Sequence, residues 1–165
     1  MRLLVLGVLA PLLVGCGTAD VAPPVSLDPA AEREPLEAGR LPALTGPEPV
    51  EIGSGAGPMV INFWASWCGP CRRELPELEA LSADRDDVRV VGILHDDTAD
   101  AGRAFADELG LTFPLAEDPG GRLYDRFGAT GLPFTVFVDR EGRVALRWFG
   151  AIDREVLTTV VDQLD

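Results

Sequence analysis

Two cysteines three positions apart are the residues of this chain whose type and spacing could carry out a defined reaction. Cys68 and Cys71 stand in the run Trp67-Cys68-Gly69-Pro70-Cys71. Positions three apart on a helix are neighbours, so the two sulfurs can approach closely enough to form a small disulfide ring. A cysteine thiolate attacks disulfides, and a second thiol nearby can then resolve the mixed disulfide. The spacing therefore favours thiol-disulfide exchange.

The cysteine pair is predicted to lie where a buried strand passes into a helix. The apolar run 59–64 is typical of a strand buried on both faces, and residues 68–82 carry three leucines at helical spacing. Cys68 would then fall in the first helical turn, where unpaired backbone N–H groups and the helix dipole favour a thiolate. We expect Cys68 to be the exposed attacking sulfur and Cys71, one turn further in, to be the resolving one.

Two other interpretations of the pair fit the sequence less well. A zinc site needs four ligands, and beyond the pair the chain offers only Cys16 and one histidine, His95. A static structural disulfide does not call for tryptophan, glycine and proline around the start of a helix. We therefore predict a redox-active pair, with no metal and no cofactor.

The segment around the pair resembles known active sites. Residues 63–71, Phe-Trp-Ala-Ser-Trp-Cys-Gly-Pro-Cys, resemble the active site of thioredoxins. The longer stretch through Pro76, with Gly-Leu-Pro-Phe-Thr at 131–135, resembles the membrane-anchored TlpA/ResA-type thiol-disulfide oxidoreductases. The resemblance runs from about Leu41 to the C-terminus. It implies a thioredoxin-like α/β fold, in which a central mixed β-sheet is flanked by helices and preceded by an N-terminal β-hairpin.

The resemblance also implies roles for residues around the pair. It places a cis-proline at Pro133, whose neighbours Leu132 and Phe134 would offer backbone groups to an extended substrate segment. Trp67, beside the pair, is expected to be an exposed substrate contact. Gly69 and Pro70, between the cysteines, are the residues found there in reducing thioredoxins. Reduction of substrate disulfides is therefore the expected direction.

A carboxyl group close to the pair could handle protons. Glu74 lies three residues after Cys71, as a glutamate does in ResA-like proteins, and by spacing it shares a helix face with that cysteine. It could relay a proton or raise the pKa of the thiols; alternatively, it is a surface residue paired with an arginine. Asn62 occupies the position where cytoplasmic thioredoxins have a buried aspartate. Proton transfer is therefore left to Glu74 or water.

The chain beyond residue 40 has the length and pattern of one domain, 41–165. Trp148 and Phe149 are expected in the core or on a sheet face, and His95 in a loop. Parallel strands followed by a hairpin indicate a mixed sheet with helices on both sides. Beyond the central strand and helix, the pattern predicts strands at 41–44, 50–52, 88–94, 113–115, 134–138 and 144–149, and helices at 97–109, 123–127 and 153–164.

The first forty residues are predicted to export and tether this domain. Residues 1–15 carry one charge, Arg2, before an apolar run too short to span a membrane, which is typical of a signal peptide. The sequence Leu-Val-Gly-Cys at 13–16 resembles a bacterial lipobox, so we expect lipid on Cys16; an ordinary secretory signal is the alternative. Residues 16–40 are rich in Ala, Pro, Glu and Asp without apolar periodicity, which predicts a flexible tether.

The strongly negative net charge of the chain limits the kinds of partner that it can bind. With 27 acidic residues against 14 arginines and no lysine, the formal charge is −13, or −14 after removal of the segment that contains Arg2. So acidic a surface argues against nucleic acid, and against anionic lipid headgroups without covalent help. We expect a monomer, lipid-anchored on the extracytoplasmic face of the cell membrane, that acts on protein thiols and disulfides.

The resemblance implies a membrane thiol carrier as electron donor and apocytochrome c as a candidate substrate. Three alternatives remain open from the sequence. The chain could be an oxidase that forms disulfides in secreted proteins, or a binding lipoprotein with a merely structural disulfide. A peroxidase is a weaker alternative, because the Thr-x-x-Cys frame of peroxidatic cysteines is missing.

Overall fold

The structure is a computed structural model that describes residues 25–30, 32–53 and 57–164. Seven strands and four helices follow one another along these residues. They are β1 (Gly39–Leu41), β2 (Val50–Ile52), β3 (Met59–Trp64), α1 (Gly69–Asp84), β4 (Arg89–Leu94), α2 (Ala99–Leu109), β5 (Leu115–Glu117), α3 (Arg122–Arg126), β6 (Phe134–Val138), β7 (Val144–Phe149) and α4 (Arg154–Val161).

The central sheet has the strand order β5-β4-β3-β6-β7. Strand β3 pairs in parallel with β4 and antiparallel with β6, and all six of its residues are buried. A strand with neighbours on both sides and helices on both faces needs a continuous apolar run, which residues 59–64 provide. The predicted thioredoxin-like architecture is confirmed, including the N-terminal hairpin of β1 and β2.

Alternation along the strands divides the core between the two faces of the sheet. Val60 and Phe137 belong to the cluster that contains the buried residues of α1, α2 and α4. Ile61 and Val136 belong to the second cluster, with α3 and the β1–β2 hairpin. The three leucines of α1 at helical spacing, Leu75, Leu78 and Leu81, are all buried. They hold α1 against the face of the sheet that carries Val60 and Phe137.

Most predicted boundaries differ from the structure by a few residues at the ends. Helix α1 begins at Gly69 because Cys68 has extended backbone angles and serves as its N-cap. Strand β5 lies at 115–117, two residues beyond the predicted 113–115, where Leu115 pairs with Gly92 of β4. Pairing with a neighbouring strand, which single-sequence patterns do not contain, sets these limits.

The segment predicted to be a flexible tether contacts the domain from Val25 onward. Its backbone bonds to the β6–β7 hairpin: Asp28 donates to the carbonyl of Ala145 (2.9 Å), and Leu36 donates to that of Gly142 (2.8 Å). Arg33 forms a half-buried ion pair with Asp139 (2.9 Å). The segment is held by backbone hydrogen bonds, this ion pair and the buried Leu36, along an edge of the sheet that would otherwise be unpaired.

Within the described residues, none of the helices combines the length and apolar composition that crossing a bilayer requires. The predicted signal segment 1–15 and the lipidation site Cys16 lie outside the described residues.

Candidate active site

The cysteine pair lies at one edge of the central sheet, where β3 ends. A short loop after Trp64 leads to Cys68, and helix α1 follows directly. Cys68 and Cys71 form a disulfide, with their Cα atoms 5.3 Å apart. The strand-to-helix position predicted from the sequence is therefore the one that the structure shows.

The sulfur of Cys68 takes part in the N-terminal cap of α1. Its Sγ accepts the backbone N–H of Cys71 at 3.2 Å. The same N–H and the positive end of the helix dipole would stabilise a thiolate on Cys68 after reduction. Cys68 is 4% exposed and Cys71 0%. The order of exposure agrees with Cys68 as the attacking sulfur, but Cys68 is buried in the disulfide form and not exposed as the sequence predicts.

Trp67 is an exposed residue beside the disulfide. Its side chain is 62% exposed, and its indole N–H donates to the carbonyl of Asp96 at 3.0 Å. The preceding residue, Ser66, donates its backbone N–H to the carboxylate of Asp97 at 2.7 Å. The loop after β4 therefore holds the loop that carries Trp67. Gly69 and Pro70 on the other side of Cys68 are also exposed.

The Leu132–Pro133 peptide bond is cis, as the family resemblance implied. Strand β6 begins at Phe134, which pairs with Phe63 near the end of β3, so Pro133 lies at the same sheet edge as the cysteines. Its carbonyl accepts the backbone N–H of Gly150 at 3.0 Å, whereas the backbone of Leu132 has no hydrogen bond within the described chain. The backbone of Phe134, which was expected to be available to a substrate, instead pairs with Phe63 on one side and Phe149 on the other, and its side chain is fully buried.

Phe149, at the end of β7, is exposed on the sheet and not buried in the core; the sequence interpretation had allowed the core or a sheet face. It is 57% exposed, and its ring centroid lies 4.8 Å from that of the buried Phe134. Trp67 and Phe149 are the large apolar residues that stand out as exposed in the described chain. Both belong to the edge that carries the disulfide. The exposure of Phe149 could have been predicted, because the last residue of a strand has no following strand residue to cover it.

Glu74 is buried on the inner face of α1, with 1% of its surface exposed. One carboxylate oxygen accepts the side-chain amide of Asn62, and the other accepts the backbone N–H of Ile152 at 2.8 Å. The alternative of a surface glutamate paired with an arginine is therefore wrong. It failed because the loop after β7, far away in sequence, covers this turn of the helix.

The environment of Glu74 disfavours its charge. Burial raises the pKa of Glu74 to about 7, while the hydrogen bonds from Ile152 and Asn62 act in the opposite direction. A carboxyl group with a pKa near neutrality can accept and release a proton under ordinary conditions. It also lies one helical turn from Cys71, within the spacing at which side chains are neighbours.

Asn62 stands behind the disulfide on β3 and is fully buried. Its amide nitrogen donates to Glu74 and also to the hydroxyl of Thr135 on β6, at 3.0 Å. Its carbonyl oxygen has no hydrogen-bond partner. Sequence patterns could not reveal the contact between Asn62 and Thr135, because it depends on β3 and β6 lying side by side in the sheet.

An acidic cleft of about 430 Å³ lies at the same edge, between the ends of β4 and β5. It is lined by His95, Asp96, Asp97 and Asp125, among others. His95 lies in a loop, as predicted, and stacks on Tyr124 with ring centroids 3.7 Å apart. No group of three or more potential metal ligands comes together in the ranges that the structure describes.

A CxxC disulfide at the start of a helix, with a cis-proline at the same edge of this α/β sheet, defines a thioredoxin-like protein. The chain belongs to the AhpC/TSA family, whose model matches residues 41–147. This range begins after the segment 25–38 and includes both cysteines, Glu74 and the cis-proline.

Two relatives of this chain are named for thiol-disulfide exchange. The thiol:disulfide interchange protein HelX of Rhodobacter capsulatus is 38% identical over 106 residues, which are 64% of this chain and 59% of HelX. The thiol-disulfide oxidoreductase ResA of Bacillus thuringiensis is 31% identical over 99 residues, which are 59% of this chain and 57% of ResA. These matches span less than two thirds of either relative.

A solved structure matches more of the chain. The DsbF homologue from Corynebacterium diphtheriae superposes with a TM-score of 0.75 at 25% identity, over 90% of this chain and 98% of that one.

Proposed function

We propose that this protein is a thiol-disulfide oxidoreductase that reduces disulfides of exported proteins through Cys68 and Cys71. The observation that carries the proposal is the position of the disulfide. It lies at the N-terminus of α1 with the N–H of Cys71 on the sulfur of Cys68, at the sheet edge that also carries cis-Pro133. The names of HelX and ResA support the same activity.

The reaction proceeds in two exchanges. The Cys68 thiolate attacks one sulfur of the substrate disulfide, and the other substrate sulfur leaves with the electron pair and takes up a proton. Cys71 then loses its proton and attacks the sulfur of Cys68, which breaks the mixed disulfide and releases the second substrate sulfur. Two electrons pass to the substrate, and the Cys68–Cys71 disulfide is the product on the enzyme. A dithiol donor outside this chain must reduce it again.

Glu74 is assigned as the acceptor of the proton that Cys71 loses. A buried thiol cannot release its proton to bulk water directly, and Glu74 is the carboxyl group one helical turn away. Its pKa, raised to about 7 by burial, is suited to accepting a proton and passing it on. Glu74 also lines a small solvent-facing cavity with Arg73, Ala151 and Asp153, through which the proton can leave.

Substrate would bind across the edge between the two exposed aromatic residues. Trp67 and Phe149 offer apolar contact, and the unpaired backbone of Leu132 offers hydrogen bonds to an extended segment. The acidic cleft beside Trp67 favours partners with basic residues near their cysteines. Apocytochrome c remains the candidate substrate that the family resemblance suggests.

Trapping of a mixed disulfide tests the activity. Cys71→Ser should accumulate a covalent adduct with a disulfide-bonded protein such as insulin, because nothing resolves the first exchange. Cys68→Ser should form none, and the unmodified chain should reduce insulin catalytically with a dithiol donor. Absence of any adduct in Cys71→Ser would exclude this mechanism and leave the binding lipoprotein. Turnover of hydrogen peroxide without disulfide reduction would favour the peroxidase.

The direction of exchange follows from the reduction potential of the pair. A value near that of thioredoxin, about −270 mV, supports the reductase, and one near that of DsbA, about −120 mV, supports the oxidase.

Anchoring of the protein to the membrane through lipid on Cys16 belongs to the same proposal. Labelling of cells with a radioactive fatty acid should mark the protein, and Cys16→Ser should abolish the label and release the protein from the membrane fraction.

A further inference from the structure

The carboxamide of Asn62 is placed between two groups that can each donate or accept. Its nitrogen donates to the carboxylate of Glu74 at 2.5 Å and to the hydroxyl of Thr135 at 3.0 Å. Its oxygen is buried and has no partner. All three side chains are almost completely buried, so water does not compete for these contacts.

Each oxygen of Glu74 accepts an N–H in this arrangement, which suits the ionised form. A protonated carboxyl keeps an acceptor oxygen but gains an O–H donor, and that donor needs an oxygen and not the N–H of Asn62. If the carboxamide turns through 180°, its oxygen meets the new O–H of Glu74 and can also accept from the hydroxyl of Thr135. Two hydrogen bonds are made in either orientation. The terminal torsion of an asparagine is soft, and the two ends of the amide are nearly equal in size, so the turn requires no repacking.

We propose that Asn62 is a positioning residue that turns its carboxamide by half a rotation each time Glu74 gains or loses a proton. Glu74 thereby keeps a hydrogen-bond partner from β3 in both forms. An aspartate at this position would compete with Glu74 for one proton, because two carboxylates in contact cannot both ionise. The asparagine leaves Glu74 as the single proton carrier behind the disulfide.

The charged groups that face Glu74 lie on the solvent side of the site. Arg73 and Glu77 precede and follow it on α1, and Asp153 and Arg154 begin α4 across the cavity. Arg154 pairs with Glu77 at 2.8 Å, and Asp153 caps α4 by accepting the N–H of Val156. On the sheet side, Asn62 of β3 donates to Glu74 and also to the hydroxyl of Thr135 on β6. Rotation of the carboxamide is therefore tied to the proton on Glu74.

The consequence for the reaction rests on the proposed function. When Cys71 gives up its proton to Glu74, the carboxamide turns its oxygen toward the newly protonated carboxyl. When the proton leaves through the cavity, the carboxamide turns back. The amide is not consumed and forms no bond to sulfur, so its effect is on the ease of proton transfer.

Nuclear magnetic resonance of the oxidised protein tests the rotation without any turnover. The Glu74 carboxyl carbon reports its titration, and Overhauser contacts between the Asn62 NH₂ protons and Thr135 report the orientation. We expect strong contacts above the Glu74 midpoint and their loss below it. Contacts that stay unchanged while Glu74 titrates would overturn the proposal, as would a Glu74 that does not titrate between pH 5 and 9. Failure of catalysis alone would leave this result intact.

Two variants sharpen the test. Glu74→Gln mimics the neutral acid, since its NH₂ can donate to the Asn62 oxygen, and it should hold the turned orientation at every pH. Asn62→Leu has a similar volume and no polar atoms, and should raise the Glu74 midpoint by about one pH unit because the ionised form loses a charge-assisted donor. Glu155→Gln, at an exposed position of α4 outside the cavity that Glu74 lines, should leave both the midpoint and the rotation in place. Loss of the rotation in Glu155→Gln would show that it does not depend on Glu74.

Discussion

Glu74, in the helix that carries the cysteines, accepts the backbone N–H of Ile152, which lies 78 positions further along the chain, at 2.8 Å. The loop after β7 also contacts the cis-proline, through the N–H of Gly150 and the carbonyl of Pro133. One short loop thus connects a buried carboxyl group with the sheet edge that carries the cis-proline.

Stability should decrease with rising pH because of Glu74. Burial raises the pKa of Glu74 from 4.5 to about 7, so between these values the folded protein keeps a proton that the unfolded chain has lost. The favourable contribution is complete below pH 4.5 and is lost as pH rises through 7. The full difference is about 3 kcal/mol. Glu74→Gln should therefore be more stable than the unmodified protein at pH 8, by up to about 3 kcal/mol, and not at pH 4.

Urea unfolding of the oxidised protein at both pH values measures this difference. Glu77→Gln is the matched control, since Glu77 lies on the same helix in a partly exposed ion pair with Arg154. That variant should change the free energy of unfolding by no more than about 1 kcal/mol at either pH. An equal effect of the two variants would contradict the assignment of Glu74 as the buried titrating group.

Loss of the exposed ring of Phe149 should weaken substrate binding. An aromatic side chain that becomes buried against a partner contributes about 1–2 kcal/mol, so Phe149→Ser should raise the KM for a protein disulfide about tenfold. The reduction potential of the pair should not change, because the ring of Phe149 packs against Phe134 and carries no charge or hydrogen-bonding group. Steady-state kinetics with insulin and redox titration measure the two quantities.

A matched control for Phe149 is Thr159→Ala, which removes an exposed side chain on α4. It should leave KM and the potential as they are. A Phe149→Ser variant with normal KM would show that the substrate does not cross the end of β7.

The carboxylate of Asp97 should hold the loop that carries Trp67. Asp97→Ala leaves the backbone N–H of Ser66 without its charged acceptor, which should lower the free energy of unfolding by about 1.5–3 kcal/mol. Trp67 should become more mobile, and its fluorescence anisotropy decay should show this. The control is Asp100→Ala, whose fully exposed carboxylate pairs with Arg103 on the same helix; this variant should leave the free energy of unfolding essentially unchanged.

The segment before β1 should contribute to the stability of the domain. Leu36 is buried against the second face of the sheet, so Leu36→Ala should lower the free energy of unfolding by about 2 kcal/mol. Glu32→Ala, on the exposed side of the same segment, should have an effect within about 0.5 kcal/mol. Chemical denaturation measures both, and equal stabilities would mean that the segment behaves as the flexible tether that its composition predicts.

Most of the fold and the centre of the site could be predicted, because they depend on local patterns. The continuous apolar run of β3, the helical leucines of α1 and the cysteines between them are neighbours in sequence. Their arrangement follows from strand and helix periodicity alone. The interpretation was wrong where the outcome depended on distant residues, as in the segment from Val25, whose backbone bonds to the β6–β7 hairpin.

The sequence by itself determined that two cysteines would meet at the start of a helix, because helix geometry brings positions three apart together whatever surrounds them. Only the tertiary structure decided the state of Glu74, whose neighbours Asn62 and Ile152 come from a strand before it and a loop far after it. The pKa of a carboxyl group depends on how much water and which donors reach it, and packing of distant segments decides both.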